Sequence, residues 1–237
     1  MAASFDAQIH ALSGFDADTA SASAVGDDFD ELAAQWMTEA YREVINVLPR
    51  SVYERCAETS AAFDPGTGQV VEGRILSVIR TRDAAASFTT VGNVFECRQI
   101  PHSLVFKAAD PDSIEYATPT DPVYYYEPQV VNTAVTVKVL PDSASNVAKI
   151  TKVSYRTFVA GGSTDNDISK STIPNFPDEA IHLVVLRAAI YAAEYMMTIE
   201  EDIETFMPII ANLKEDFKNS LNMLKTGTLG SQQQAAS

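Results

Sequence analysis

The chain has 237 residues, of which 17 are Lys or Arg and 32 are Asp or Glu, giving a formal charge of −15 and an isoelectric point near 4.5. That balance offers bare DNA or an anionic membrane no general attraction, and 46% hydrophobic with 21% charged residues describes a chain that buries a core rather than a disordered or fibrous one. Two cysteines, Cys56 and Cys97, are too few for a disulfide scaffold or a thiolate metal cage, so a cytosolic setting is the default expectation.

Residues 1–26 hold no Lys or Arg and no long apolar run, so neither a secretory signal nor a transit peptide is expected there. Phe5, Ile9 and Leu12 recur at spacings of four and three, enough for a turn or two of amphipathic helix in an arm that orders only against something else. From Asp27 the pattern changes. Phe29, Leu32, Ala33, Trp36, Met37, Ala40, Tyr41, Val44, Ile45 and Leu48 build one apolar helix face over about five turns. Asp27 or Asp28 caps it, Asp30 and Glu31 suit its positive end, and Pro49 stops or kinks it. Trp36 and Tyr41 lie on the apolar stripe and are expected in a core or a subunit contact. Val52, Tyr53 and Cys56 carry the face into a short second segment, with Cys56 as a small buried apolar residue.

Between about residues 61 and 170 the period falls to two and Pro, Gly, Asn and Asp punctuate the chain, which predicts an antiparallel β-rich insertion. Strands are expected at 75–80, 94–98, 103–108, 123–129, 134–140 and 147–158. Within the run Tyr124, Tyr125, Tyr126 the middle ring must face away from the other two. Tyr125 is a further candidate for a core or interface. Base stacking on these rings is disfavoured by the flanking Asp121 and Glu127.

Helical spacing returns after a Gly/Ser/Asp/Asn linker, with Pro174, Pro177, Asp178 and Glu179 marking a helix start. Residues 180–197 are apolar on most faces, but His182, Arg187 and Glu194 interrupt them, so burial in protein is expected rather than a membrane span. A last helix covers about residues 206–224, with Phe206, Ile209, Ile210, Leu213, Phe217, Leu221 and Leu224 on one face. Gly227 and Gly230 are expected to stop it and leave residues 227–237 as a flexible tail. The reading is therefore α+β, with an arm (1–26), a helical domain in two parts (27–60 and 171–226) and a β-rich insertion (61–170) between them.

Catalytic signatures are missing: no Gly-rich phosphate loop, no G-x-S-x-G, and no His or Cys pair at ligand spacing. His10, His102 and His182 fall on three different segments. Glu200, Glu201, Asp202 and Glu204 read most simply as a solvated helix cap rather than a divalent-metal site. No enzyme activity, cofactor or metal is expected.

Three stretches carry a family resemblance: Trp36-Met37-Thr38-Glu39-Ala40-Tyr41-Arg42-Glu43-Val44-Ile45-Asn46-Val47-Leu48-Pro49, then Ala117-Thr118-Pro119-Thr120-Asp121-Pro122-Val123-Tyr124-Tyr125-Tyr126, then Ile173-Pro174-Asn175-Phe176-Pro177-Asp178-Glu179-Ala180-Ile181. With the order helix, β insert, two closing helices, the chain resembles the head-to-tail adaptor and neck proteins of tailed bacteriophages. The resemblance implies a helical bundle with a β insertion, a homo-oligomeric ring of typically twelve copies beneath the portal protein, contact with neck and tail proteins, a place in the virion, and passage of double-stranded DNA without sequence-specific binding. It also implies a portal-contacting C-terminal segment, here Leu224 onward with Leu229 and Gly230. A neck, stopper or tail-terminator protein is the alternative virion component, and a cellular enzyme or carbohydrate-binding module is a third possibility. Twelve copies would carry a formal charge of about −180, a wall past which phosphates slide. The acidity lies mainly in the two helical parts, which implies that they line the channel while the β region faces outward or toward neighbouring subunits.

Overall fold

The computed structural model describes residues 3–14, 29–82, 88–89, 92–128, 135–142, 147–161, 165–200 and 203–234. The protein is α+β, and it divides into two compact units, residues 1–56 with 155–237, and residues 57–154.

The first unit is helical. Helices α1 (Phe5–Ser13), α2 (Phe29–Val47), α3 (Arg50–Tyr53), α5 (Asp178–Glu200) and α6 (Ile203–Gln234) belong to it. The apolar spacing of α2 buries Ala33, Trp36, Met37, Ala40, Tyr41, Val44 and Ile45, and α5 buries Leu183 to Leu186, Ala188 to Ile190, Ala192 and Ala193. Helix α5 is long and apolar enough to cross a membrane, yet most of that stretch is covered by protein. Its covers are α1, α2 and α6, each packed along it. The alanines matter here because small side chains let neighbouring helix backbones approach closely.

The N-terminal segment, expected as an arm that orders only against something else, is helical over Phe5–Ser13. It forms a full helix, with Ser4 Oγ accepting a hydrogen bond from the Ala7 N–H at 3.3 Å at its start and Gly14 in the left-handed region (φ 73°) at its end. Two of its orphan N–H groups, on Phe5 and Asp6, donate to the carbonyls of Lys170 and Ile168 at 2.8 and 3.3 Å. Phe5 and Ile9 are wholly buried, so what orders this segment is its own chain. The expected cap at Asp27 or Asp28 lies outside the described residues.

The second unit holds two four-stranded sheets. One is antiparallel in the order β1 (Glu58–Thr59), β8 (Ala148–Val153), β3 (Arg74–Thr81), β4 (Val94–Glu96); the other runs β2 (Gln69–Val71), β7 (Val135–Leu140), β6 (Val123–Pro128), β5 (Arg98–Gln99), with β5 and β6 parallel. Val78, Ala148 and Ile150 from the first sheet share a core with Val71, Tyr124, Val137 and Val139 from the second. The tyrosine run alternates as the strand period requires: Tyr124 and Tyr126 meet edge to face at 5.9 Å, whereas Tyr125 packs with Ile100, Ala108, Ala117 and Val123 on the opposite side.

Three boundaries differ from expectation. Residues 103–108 are not a strand: a 3₁₀ turn (His102–Leu104) opened by Pro101 runs into helix α4 (Val105–Ala109). Leu104, Val105 and Ala108, which touch the Tyr125 cluster, have the spacing of one helix face. Strand β8 ends at Val153, so residues 155–170 join the helical unit instead of the insertion. Phe158, Ile168, Ile173 and Phe176 are buried there. Finally, α6 continues through Gly227 and Gly230 to Gln234, where a flexible tail is predicted from sequence. Glycine inside a helix costs only about 1 kcal/mol each and does not forbid continuation.

Candidate functional site

In the helical unit, Thr38 fixes how the segment after β8 meets α2. Its hydroxyl donates to the Ala34 carbonyl at 2.8 Å and accepts from the Phe158 N–H at 2.9 Å, all buried. Phe158 in turn meets Tyr41 edge to face at 5.9 Å and Phe5 at 6.3 Å. This anchor lays residues 157–160 beside the exposed side of α2 and leaves an open groove of about 620 Å³, lined by Glu31, Ala34, Gln35, Thr38, Glu39 and Arg42 of α2 and by Thr157, Phe158, Val159 and Ala160.

Glu43 lies one turn past Glu39 and is held by Arg187 of α5, Nε to Oε2 at 2.6 Å. The Arg187 hydrogen bond holds the Glu43 carboxyl below its ordinary range, and the guanidinium also lies 4.7 Å over the Tyr191 ring. Half-exposed as it is, the pair contributes under about 1 kcal/mol.

The other exposed face belongs to α6. Ile203 and Met207 are 61% and 53% exposed, beside Ile199 at the end of α5. Farther along the same side lie Lys214, which pairs with Glu194 at 2.8 Å, then Lys218 and Lys225.

A second groove, in the β unit, has a volume of about 400 Å³ and is lined by Leu76, Ser77, Glu96, Cys97, Arg98, Gln99 and Tyr124. Burial pushes the Cys97 thiol up to about 12 and the Tyr124 hydroxyl up to about 12. Both stay protonated at neutral pH, so this groove presents neither a thiolate nor a phenolate nucleophile. Cys56, raised by burial to about 11, is equally inert. Among the described residues no group of three His, Cys, Asp or Glu side chains is placed to hold a metal ion.

The residues singled out from sequence do not converge. Trp36 is buried between Phe29 and Tyr195, with ring centroids 5.6 and 5.4 Å away. Tyr41 is buried against Phe158 and Phe176. Tyr125 sits in the β unit with His102 at 5.8 Å. Leu224, Leu229 and Gly230 fall in the distal turns of α6. His10 stacks on Phe29 at 3.9 Å and His182 is exposed on α5, so the three histidines occupy separate places. Of the acidic run at 200–204, Glu204 is exposed on α6, and the side chains of residues 200–202 lie outside the described residues.

Sequence reasoning missed Arg80. It lies on the same face of β3 as Val78 and is 1% exposed, with Nε, Nη1 and Nη2 all buried and lacking a hydrogen-bond partner. Burial depresses its pKa, opposed by Cys97 and Asp142. The alternation of Val78, Arg80 with Ile79 and Thr81 carries the signal, since it turns a charged side chain toward the core. Compared with protein-family models and with curated proteins, the chain matches none.

Proposed function

We propose that this protein is a structural subunit of a tailed-phage head-to-tail connector, an adaptor ring between the portal protein and the neck and tail, through which double-stranded DNA passes. The observation that carries the reading is the division of charge between its units. The helical unit has 21 acidic and 9 basic residues, a formal −12, and the β unit 11 and 8, a formal −3. A conduit for a polyanion works when its wall does not hold phosphate, because each lysine or arginine contact releases counterions and adds affinity. A helical bundle of α1, α2, α5 and α6, interrupted in sequence by a β domain, is the architecture that the resemblance implies for such a subunit. The distal turns of α6, from Leu224, are the segment assigned to the portal.

Removal of residues 226–237 tests the assignment. The truncated chain is expected to melt within about 2 °C of the full chain, since among the residues of α6 whose side chains are described the last buried one is Leu213. It is also expected to lose co-sedimentation with portal rings. Undiminished co-sedimentation would remove the role given to this segment.

A further inference from the structure

A positive charge is shut inside the β unit. Arg80 is the last residue but one of β3, and its Nε, Nη1 and Nη2 are all buried without a hydrogen-bond partner among the described residues. A guanidinium presents a fork of N–H donors, accepts nothing and keeps its proton in proteins, so both its charge and its donors call for a partner. The ladder supplies none. Arg80 stands opposite Phe95 of β4 and Ala148 of β8, a ring and a methyl group, and the neighbouring Thr81 hydroxyl is spent on the Val147 backbone at 3.2 and 3.3 Å. Two ionisable groups bear on the guanidinium, Cys97 and Asp142. Cys97 is a neutral thiol at neutral pH, its pKa pushed up to about 12 by burial, so it compensates no charge. Asp142 is exposed, and its carboxylate lies over Gly66, in space that a Cβ there would take.

We propose that Arg80 is the floor of an anion site in the β unit, taking a small inorganic oxyanion of the phosphate or sulfate class. Two oxygens of such an ion match the planar guanidinium fork, and they bring the negative charge that the apolar walls cannot. Water is the poorer occupant. It leaves the charge uncompensated, and its own protons would need acceptors among the side chains of Val78, Phe95 and Ala148. The way in is short: β3 ends at Thr81 and β8 begins at Ala148, so Arg80 lies in the last rung of this ladder. Arg82, exposed two residues farther on, adds a second cation at the mouth. Fraying of one rung admits the ion while the rest of the sheet holds. The site belongs to the β unit alone and stands whether or not the chain forms a ring.

Amide hydrogen exchange of the full-length chain at neutral pH tests the site, with inorganic phosphate raised from zero to about 20 mM at constant ionic strength. An ion held with a dissociation constant of about 1 mM multiplies the folding constant by about twentyfold at that concentration, so the most protected amides of β3 and β8 should slow by about that factor. Arg80→Met should remove the response. Arg80→Lys, which keeps the charge and loses the fork, should need about tenfold more phosphate for the same slowing. Without phosphate the Met variant is the more protected of the two, and phosphate narrows the gap. In the wild type the Nε–Hε resonance of Arg80 should shift along the same titration curve, a readout that needs no variant to fold. Equal slowing in wild type and Arg80→Met would be a general salt effect on burial and would overturn the site. So would wild-type exchange that ignores phosphate, whether Asp142→Asn leaves that exchange alone, as with water at the guanidinium, or quickens it, as with a carboxylate that swings in to pair.

Discussion

Thr38 sits inside a helix, where a hydroxyl ordinarily competes with the backbone to little benefit. Here it supplies the acceptor for a buried N–H at residue 158, 120 positions away in sequence. Thr38→Val keeps the shape and leaves that N–H unpaired, so it should destabilise the helical unit by about 1–3 kcal/mol, read as a lower urea midpoint at unchanged slope. Thr38→Ser should retain most of the stability. Arg80 is the converse case, a charge that is buried without partners. Replacing a buried charge by an apolar side chain of similar volume is often stabilising, and Arg80→Met is therefore expected to raise the unfolding midpoint of the β unit, by about 1–4 kcal/mol in free energy. A loss of stability instead would show that the guanidinium is satisfied in solution. Periodicity placed Trp36, Tyr41 and the alternating tyrosines, because those residues obey a local rule. It could not anticipate the Thr38–Phe158 bond, whose partners are joined only by the fold.

At the scale of elements, the N-terminal helix shows most clearly what local patterning omits. Phe5, Ile9 and Leu12 display its apolar face and Ser4 and Gly14 its ends, but its docking site is assembled from α5 and the backbone of residues 168–170. Nothing in residues 1–26 encodes that site. Gly14 adopts a φ of 73°, and a Cβ there would stand 3.2 Å from Ile209 Cδ1. Gly14→Ala should cost about 1–2 kcal/mol from the left-handed backbone alone. Amide exchange should quicken through α1 while that of α2 stays unchanged; equal exchange in both variants would show that α1 does not depend on this cap. Helices α2 and α5 were legible because their apolar faces run for many turns. Helix α4 was not, since five residues hold too few positions to separate a period of 3.6 from one of 2. The strand end at Val153 was equally hidden: the alternation of residues 153–156 persists beyond the last ladder pair.

For the whole molecule, charge is the property that composition reveals and the fold then distributes. The net −15 was evident from the sequence, as was its concentration outside the β region. The lysine stripe of α6 was not, because it appears only when residues 203 to 225 are wound on one helix. A chain so acidic holds few positive faces, which narrows the surfaces that can meet another acidic copy. Screening at physiological salt limits such fields to about 8 Å, so only residues that face the DNA closely would act on it. The central claim, that copies of this chain form a ring around passing DNA, is most directly tested by a symmetry-resolved image of tailed particles containing the chain. Twelve copies around the axis at the head-to-tail junction, with the bore lined by acidic side chains of the helical unit, is the result predicted. A single copy per particle, a location on the capsid surface, or a bore lined by Lys and Arg would contradict it.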